Sequence, residues 1–219
     1  MKASHVLNIL LAVGLVLVCG KFAMAEGGSE KVDNTAKIME NVKSGQSDAD
    51  IVMNNILTRA SVRRYQNKPV EEEKVEKMLR AAMAAPTAVD KRPWHFVVVN
   101  ERAVLDELGG QRGGMLKSAP LAIVICGNMN KALGGDGRDF WIQDTSAATE
   151  NLLLAAHALG LGAVWTGAYP IKPRCEEIAR VLNLPEHLIP LDIVVIGYPE
   201  GEVKPKDKWD ESNISYNKF

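Results

Sequence analysis

Aromatic side chains make up only 5% of this 219-residue chain, and there are three cysteines. Cys19, Cys126 and Cys175 are far apart, with no CxxC and no histidine pair at metal spacing. That argues against both a disulfide scaffold and a zinc site, and no residue is assigned as a metal ligand. Neither charge is in excess: 26 basic and 27 acidic groups leave a formal charge of −1. Nucleic acid therefore has no electrostatic case as the main partner. Internal repeats and low-complexity tracts are also missing. Hydrophobic residues at 47% and charged residues at 24% match a soluble globular domain, not a disordered chain, collagen or a coiled coil. One domain, or at most two, fits this length.

A run long enough for a comfortable membrane span is lacking too. Residues 6–18 are apolar, interrupted by Asn8, Ala12 and Gly14, and Lys2 and His5 precede them. A span needs about 20 residues. The short run leads to Ala23-Met24-Ala25, the small-x-small pattern that a signal peptidase accepts. Residues 1–25 read as a cleavable signal peptide, which predicts an exported, periplasmic protein with no stable membrane span after processing. An uncleaved anchor and a lipoprotein on Cys19 are the weaker readings, because Val18 stands where a small residue should precede a lipidated cysteine. Residues 26–47 read as a polar tether with one weak helix near 35–42. The folded domain is expected over 48–219.

Within that domain, Asp48 is placed to cap a helix with Ile51, Val52, Ile56 and Leu57 on its apolar face. Residues 70–85 show helical spacing of Val75, Met78, Leu79, Ala82 and Met83, stopped by Pro86. Residues 144–159 and 173–182 are the other expected helices. Strands are expected at 96–99, 121–126, 163–165 and 191–196. Interleaved elements with irregular strand spacing predict an α+β sandwich rather than a regular doubly wound sheet.

Four segments carry chemistry. Arg59, Arg63 and Arg64 flank Ser61 in one short stretch, and guanidinium is a planar bidentate donor suited to phosphate. In an extended segment Arg59, Ser61 and Arg63 project to one side. A solvated basic turn explains the same residues equally well. The connection 84–94 sets Thr87, Asp90 and Arg92 among prolines and small residues, and Trp94 reads as core. Residues 160–167 are glycine-rich but lack the GxGxxG spacing of a dinucleotide fingerprint. A helix cap accounts for Gly160 and leaves Gly167 unexplained. Last, Gly197-Tyr198-Pro199 leads into a lysine-rich stretch that includes Lys206 and Lys208.

Together these segments resemble the nitroreductase family of FMN-dependent oxidoreductases. The likeness rests on R-x-S-x-R at 59–63 and on the A-P-T…P-W-x-F loop at 85–96. It rests equally on E-N-L-L-L-A-A…G-L-G…W-x-G at 150–167 and on G-Y-P…P-K-x-K at 197–208. The four lie in family order across residues 50–219. The resemblance implies a homodimeric sandwich, a mostly antiparallel sheet flanked by helices, with two FMN molecules at the subunit interface. It assigns Arg59, Ala60, Ser61 and Arg63 to the FMN phosphate and ribityl chain, and Lys206 and Lys208 to the phosphate. It sets the backbone of Thr166 and Gly167 at the ring, and gives Pro86, Thr87 and Ala88 to the partner's flavin. Asp90 stands where the family usually has asparagine, and Arg92 where glutamine is common, so a carboxylate at Asp90 either acts on the flavin or pairs with Lys91 or Arg92.

The reaction implied is hydride transfer from NADH or NADPH through FMN to a nitro, quinone or similar small-molecule acceptor. The flavin carries the chemistry, so no side chain is assigned as acid, base or nucleophile. Reduced nicotinamide is cytoplasmic, which sits awkwardly with export. Reductive dehalogenation or flavin breakdown with another donor, and an exported flavin-binding electron carrier, are therefore the alternatives. The signal-peptide reading predicts that intact-mass analysis of the exported protein finds Glu26 first. Retention of residues 1–25, or a lipid on Cys19, would refute it.

Overall fold

The sheet has four strands, β1 (Trp94–Val99), β2 (Leu121–Asn128), β3 (Gly162–Gly167) and β4 (Leu188–Gly197). They lie in the order β1-β2-β4-β3, and every neighbouring pair is antiparallel. The computed structural model describes residues 47–110 and 114–219. Residues Ala49–Phe219 form one unit. The expected signal peptide and the helix near 35–42 lie outside the described residues, as does all of the tether but Ser47. β2 and β4 are covered on both faces and read as unbroken apolar runs, as strands buried on both sides must. The register slips between Ile125 and Cys126, where β4 carries an extra residue.

Among the described residues six α-helices accompany the sheet: α1 (Asp48–Thr58), α2 (Glu72–Met83), α3 (Arg102–Gly109), α4 (Met115–Ser118), α5 (Phe140–Ala158) and α6 (Lys172–Val181). On one face α2 and α5 bring Met78, Ala82, Ala148, Leu152 and Ala156 against Ile123, Ile125, Val194 and Ile196. On the other, α3, α4 and α6 bring Leu105, Leu108, Leu116 and Ile178 against Val124, Val164 and Val195. The expected α+β sandwich is what forms. α3 and α4 were not anticipated from sequence; α3 is a short amphipathic helix that buries Leu105 and Leu108. Trp94 is buried as expected. Among the described residues no helix is long and apolar enough to cross a membrane.

α1 forms where Asp48 signalled it, although Asp48 is the first helical residue rather than the cap. None of its residues is buried, and Val52, Met53, Ile56 and Leu57 all face solvent. Polar contacts to α5 hold it instead. Asn55 Nδ2 donates to the Leu154 carbonyl at 3.1 Å, and Thr58 Oγ1 lies 2.9 Å from His157 Nε2.

The segment after α1 is laid against the sheet edge. Ser61 bridges to Ala163 of β3 and Tyr65 bridges to Pro199 just beyond β4. Gly162 and Gly197 face one another across β3 and β4. A Cβ on Gly162 would come within 2.7 Å of Val62, and one on Gly197 within 2.7 Å of Pro120 and about 3.0 Å of Tyr65. Gly162→Ala should therefore cost about 1–3 kcal/mol through overpacking. Gly167→Ala, which meets nothing within 4 Å, should change stability by less than about 0.5 kcal/mol. Urea unfolding of the two variants checks the contrast.

Candidate functional site

Arg59 is the first residue past α1, and its guanidinium points back onto α5, where Nε lies 3.3 Å from Glu150 Oε1. The C-terminal segment returns to the same place. Arg59, Lys206, Lys208 and Trp209 line one cavity of about 560 Å³ with Ile56, Leu57, Pro205 and Asp207. Three cations from segments almost 150 residues apart in sequence thus border one space. An adjoining cavity of about 190 Å³ runs from Arg59 and Ala60 past Val62, His157 and Val203. His157 is held below its ordinary pKa by partial burial and by the Arg59 charge. It ties Thr58 to α5 and thereby fixes the residue next to Arg59.

Arg63 lies elsewhere. It lines a separate cavity of about 200 Å³ with Ala60, Ser61, Arg64, Glu200, Glu202 and Lys204. The strict alternation expected of residues 59–64 breaks at Arg64. Val62 and Tyr65 are the inward residues, so Arg63 and Arg64 both face outward, and Arg64 lies 3.9 Å from Glu200. The Tyr65 hydroxyl sits 2.6 Å from the Val62 carbonyl and 3.0 Å from that of Val195, and burial pushes its pKa up.

The loop after α2 is tied to the start of α5. The Ala88 amide donates to Asp144 Oδ1 at 2.8 Å, and Thr87 Oγ1 accepts from the Arg92 amide. Val89, Asp90 and Arg92 all have φ near +50°, a conformation that costs non-glycine residues energy and is commonly kept at functional loops. Asp90 takes both oxygens to Arg92, at 2.7 and 2.5 Å, and this bonding holds its pKa below the usual carboxylate range. Asp90 thus pairs with Arg92, one of the two roles open to it. Pro86 precedes the loop.

At the end of β3, Thr166 Oγ1 donates to the Ile193 carbonyl, and Arg174 donates to the Gly167 carbonyl at 3.3 Å. Gly167 is exposed, with open space where a side chain would stand. Thr166, Gly167 and Arg174 also border an apolar cavity of about 390 Å³ under α3, α4 and α6. Opposite Gly167 on β4 lies Asp192, fully buried, its pKa raised well above the usual value by burial. Sequence reasoning missed Glu150, Asp144 and Asp192. For Asp192 a signal existed: one carboxylate inside the apolar run 191–196.

The protein-family model that matches the chain, over residues 56–111 and 107–198, is that of the nitroreductase family. This chain belongs to the nitroreductase family. It is 45% identical over 172 residues to the "Putative NADH dehydrogenase/NAD(P)H nitroreductase" of Methanothermobacter thermautotrophicus, covering 77% of this chain and 87% of that one. A solved structure of the same name from Bacteroides thetaiotaomicron is 44% identical, covers 80% of this chain and 100% of its own, and superposes with a TM-score of 0.72. A second, named as an FMN-dependent nitroreductase from Clostridium difficile, is 33% identical with a TM-score of 0.69 over 76% of this chain and 99% of its own.

Proposed function

We propose that this chain is an FMN-dependent oxidoreductase that passes two electrons from NADH or NADPH to a nitro, quinone or similar acceptor. The observation that carries the reading is the convergence of Arg59, Lys206 and Lys208 on one cavity beside α1. Such a set suits a dianionic phosphate, since charge-assisted contacts are the strong hydrogen bonds. The bare backbone at Gly167 suits a flat ring that must approach closely, so the residues present fit FMN. When bound, the flavin supplies hydride chemistry; the protein binds it and orients donor and acceptor.

In this reading Arg59, Lys206 and Lys208 hold the phosphate, and Glu150 keeps Arg59 aimed. Ala60 and Ser61 border the ribityl chain, with Arg63 alongside in the neighbouring cavity. The backbone of Thr166 and Gly167 meets the ring. Pro86, Thr87, Ala88 and Asp90 belong to the loop that serves the partner subunit's flavin. A homodimer is supported by the uncovered apolar face of α1 and by Trp209, Tyr216 and Phe219, which are all exposed. Export to the periplasm is part of the proposal and rests on residues 1–25. It also gives the flavin-carrier reading its support, because a nicotinamide donor is scarce there.

Flavin-loaded protein should run as a dimer by light scattering, and anaerobic NADH or NADPH should bleach its flavin absorbance. Bleaching by dithionite but by neither nicotinamide would favour the carrier.

The phosphate assignment has its own test. FMN should bind far better than riboflavin. Loss of one charge-assisted contact costs about 1.5–3 kcal/mol, so Arg59→Ala should weaken FMN by roughly one to two powers of ten. The same change should leave riboflavin nearly unaffected. Arg59→Lys should recover only part of the affinity, because an ammonium cannot make the bidentate pair. Arg80→Ala, which breaks only an exposed pair with Glu76, is the control. Fluorescence titration with both flavins gives the comparison, and equal affinities in the unmodified chain would defeat the assignment.

A further inference from the structure

Asp192 is a carboxyl group enclosed in an apolar strand. Its Oδ2 lies 3.0 Å from Thr149 Oγ1 of α5, while its Oδ1 has no hydrogen-bond partner among the described residues. The same Thr149 hydroxyl lies 2.9 Å from the Thr145 carbonyl. A hydroxyl has one proton to donate and cannot serve both oxygens at once. Were Asp192 ionised, its charge would be buried with at most one donor and one bare anionic oxygen, an arrangement proteins avoid. With a proton on Oδ2, the acid donates to Thr149, Thr149 donates to the Thr145 carbonyl, and only a neutral carbonyl oxygen is left over. The geometry favours the neutral acid, and burial raises its proton affinity in the same direction.

Its position gives the acid a role. Asp192 and Gly167 are direct partners in the β3–β4 ladder, and directly paired residues on antiparallel strands point to the same side. A side chain at Gly167 would meet open space. Asp192 therefore lies beside the ground where the proposed function sets the flavin ring. Among the described residues no surrounding ionisable group is paired with Asp192. On α5, Asp144 is engaged with the Ala88 amide. On β2, the Cys126 thiol is pushed up to about 12 by burial first, then by Asp192 and Cys175. On α6, Cys175 has its Sγ 3.4 Å from the Pro190 carbonyl, and Arg174 is directed to the Gly167 carbonyl.

We propose that Asp192 is a positioning residue that works as a neutral acid, keeping the ground behind Gly167 free of charge while the flavin ring is reduced. The proposal rests on the FMN reading of the site. Reduction adds negative charge to the ring, and a carboxylate at Asp192, on the strand position paired with Gly167, would oppose it. The neutral acid does not. Where the pH is high enough to ionise Asp192 in the oxidised protein, reduction draws one additional proton onto it. The midpoint potential then falls more steeply with pH.

Asp192→Asn keeps a neutral donor to Thr149 at every pH. In FMN-loaded protein its midpoint potential should match the native value at neutral pH and lie above it at alkaline pH. Thr149→Val removes the one bond that eases ionisation, so it should move the native break to higher pH. A flavin-free readout separates this proposal from the FMN reading. The folded chain keeps a proton that the unfolded chain releases above the ordinary aspartate range. Native stability is therefore lost with rising pH relative to Asp192→Asn, and the gap seen in urea unfolding should widen from mildly acidic to neutral pH. A gap that does not change with pH, or native and Asp192→Asn potentials that fall in parallel to the alkaline limit of folding, would overturn the proposal. Failure to bind FMN would instead overturn the reading of the site and the flavin role of Asp192 with it, while the unfolding gap would still report the neutral acid.

Discussion

The site depends on a notch made by two facing glycines. Gly162 and Gly197 leave the end of the β3–β4 pair without side chains, and Val62 and Tyr65 fill the space. Burying two such side chains is worth on the order of 1.5–3 kcal/mol each, ample to hold a short segment that pairs with the sheet at only two bridges. The Val62 amide donates to the Ala163 carbonyl at 3.0 Å, and the Gln66 amide to that of Tyr198 at 2.9 Å. The basic segment is therefore not a free turn. Its inward residues are set by core packing, and the arginines face outward because Val62 and Tyr65 do not. The same contacts hold the exit of β4, since the Glu200 amide donates to the Arg64 carbonyl. The chain that leaves there carries Lys206 and Lys208 back to Arg59.

α5 is the second organiser, and it works through polar groups on an apolar helix. Its buried Ala148, Leu152 and Ala156 fix it on the sheet. From that fixed position it reaches three other parts of the fold. Glu150 meets Arg59, Asp144 meets the loop at Ala88, and Thr149 meets Asp192. The first two contacts join a rigid helix to segments with little packing of their own, and the third ties it to the buried strand β4. α1 is the extreme case, since it has no buried side chain and is held to α5 through Asn55 and Thr58. A helix held by a few partly exposed polar bonds opens more readily than one held by a core. The proposed phosphate side of the site is thus attached to its least anchored helix.

Period and punctuation made most of the fold legible. α2, α5 and α6 show their spacing, and β2 and β4 are apolar runs too short for helices, so both their type and their place could be read. α3 and α4 could not, because eight and four residues give too little of a 3.6-residue period to recognise. At the site, the family resemblance pointed to Arg59, Ser61, Lys206 and Lys208, and Gly167 stood out because no cap explained it. What sequence could not supply was pairing. Arg63 and Arg59 are neighbours in sequence, yet they border different cavities, because Val62 and Tyr65 rather than a two-residue alternation set the segment's orientation. The partners Glu150, Asp144 and Asp192 lie 56 or more positions from the groups they meet, or in the case of Asp192 and Thr149, 43 apart. Glu150 lies on another element altogether from Arg59. Only the packed sheet brings them together.

The phosphate-binding site proposed for this chain of net charge −1 cannot draw on a general positive field. Its attraction must come from local placement, and acids are interleaved with the cations of both basic segments. Glu150 faces Arg59, Glu200 lies near Arg64, Glu202 lies 3.7 Å from Lys204, and Asp207 stands between Lys206 and Lys208. These are mostly exposed pairs, worth about 0–1 kcal/mol each, so they restrain the cations without holding them against a better partner. A dianionic phosphate offers shorter, charge-assisted bonds to several cations at once and outcompetes them. Arg59 differs from the rest because its side chain is largely buried, so its contact with Glu150 is the least screened and the most directional. The lysines supply charge from the exposed segment beyond β4. Arg59, fixed between α1 and α5, supplies the geometry.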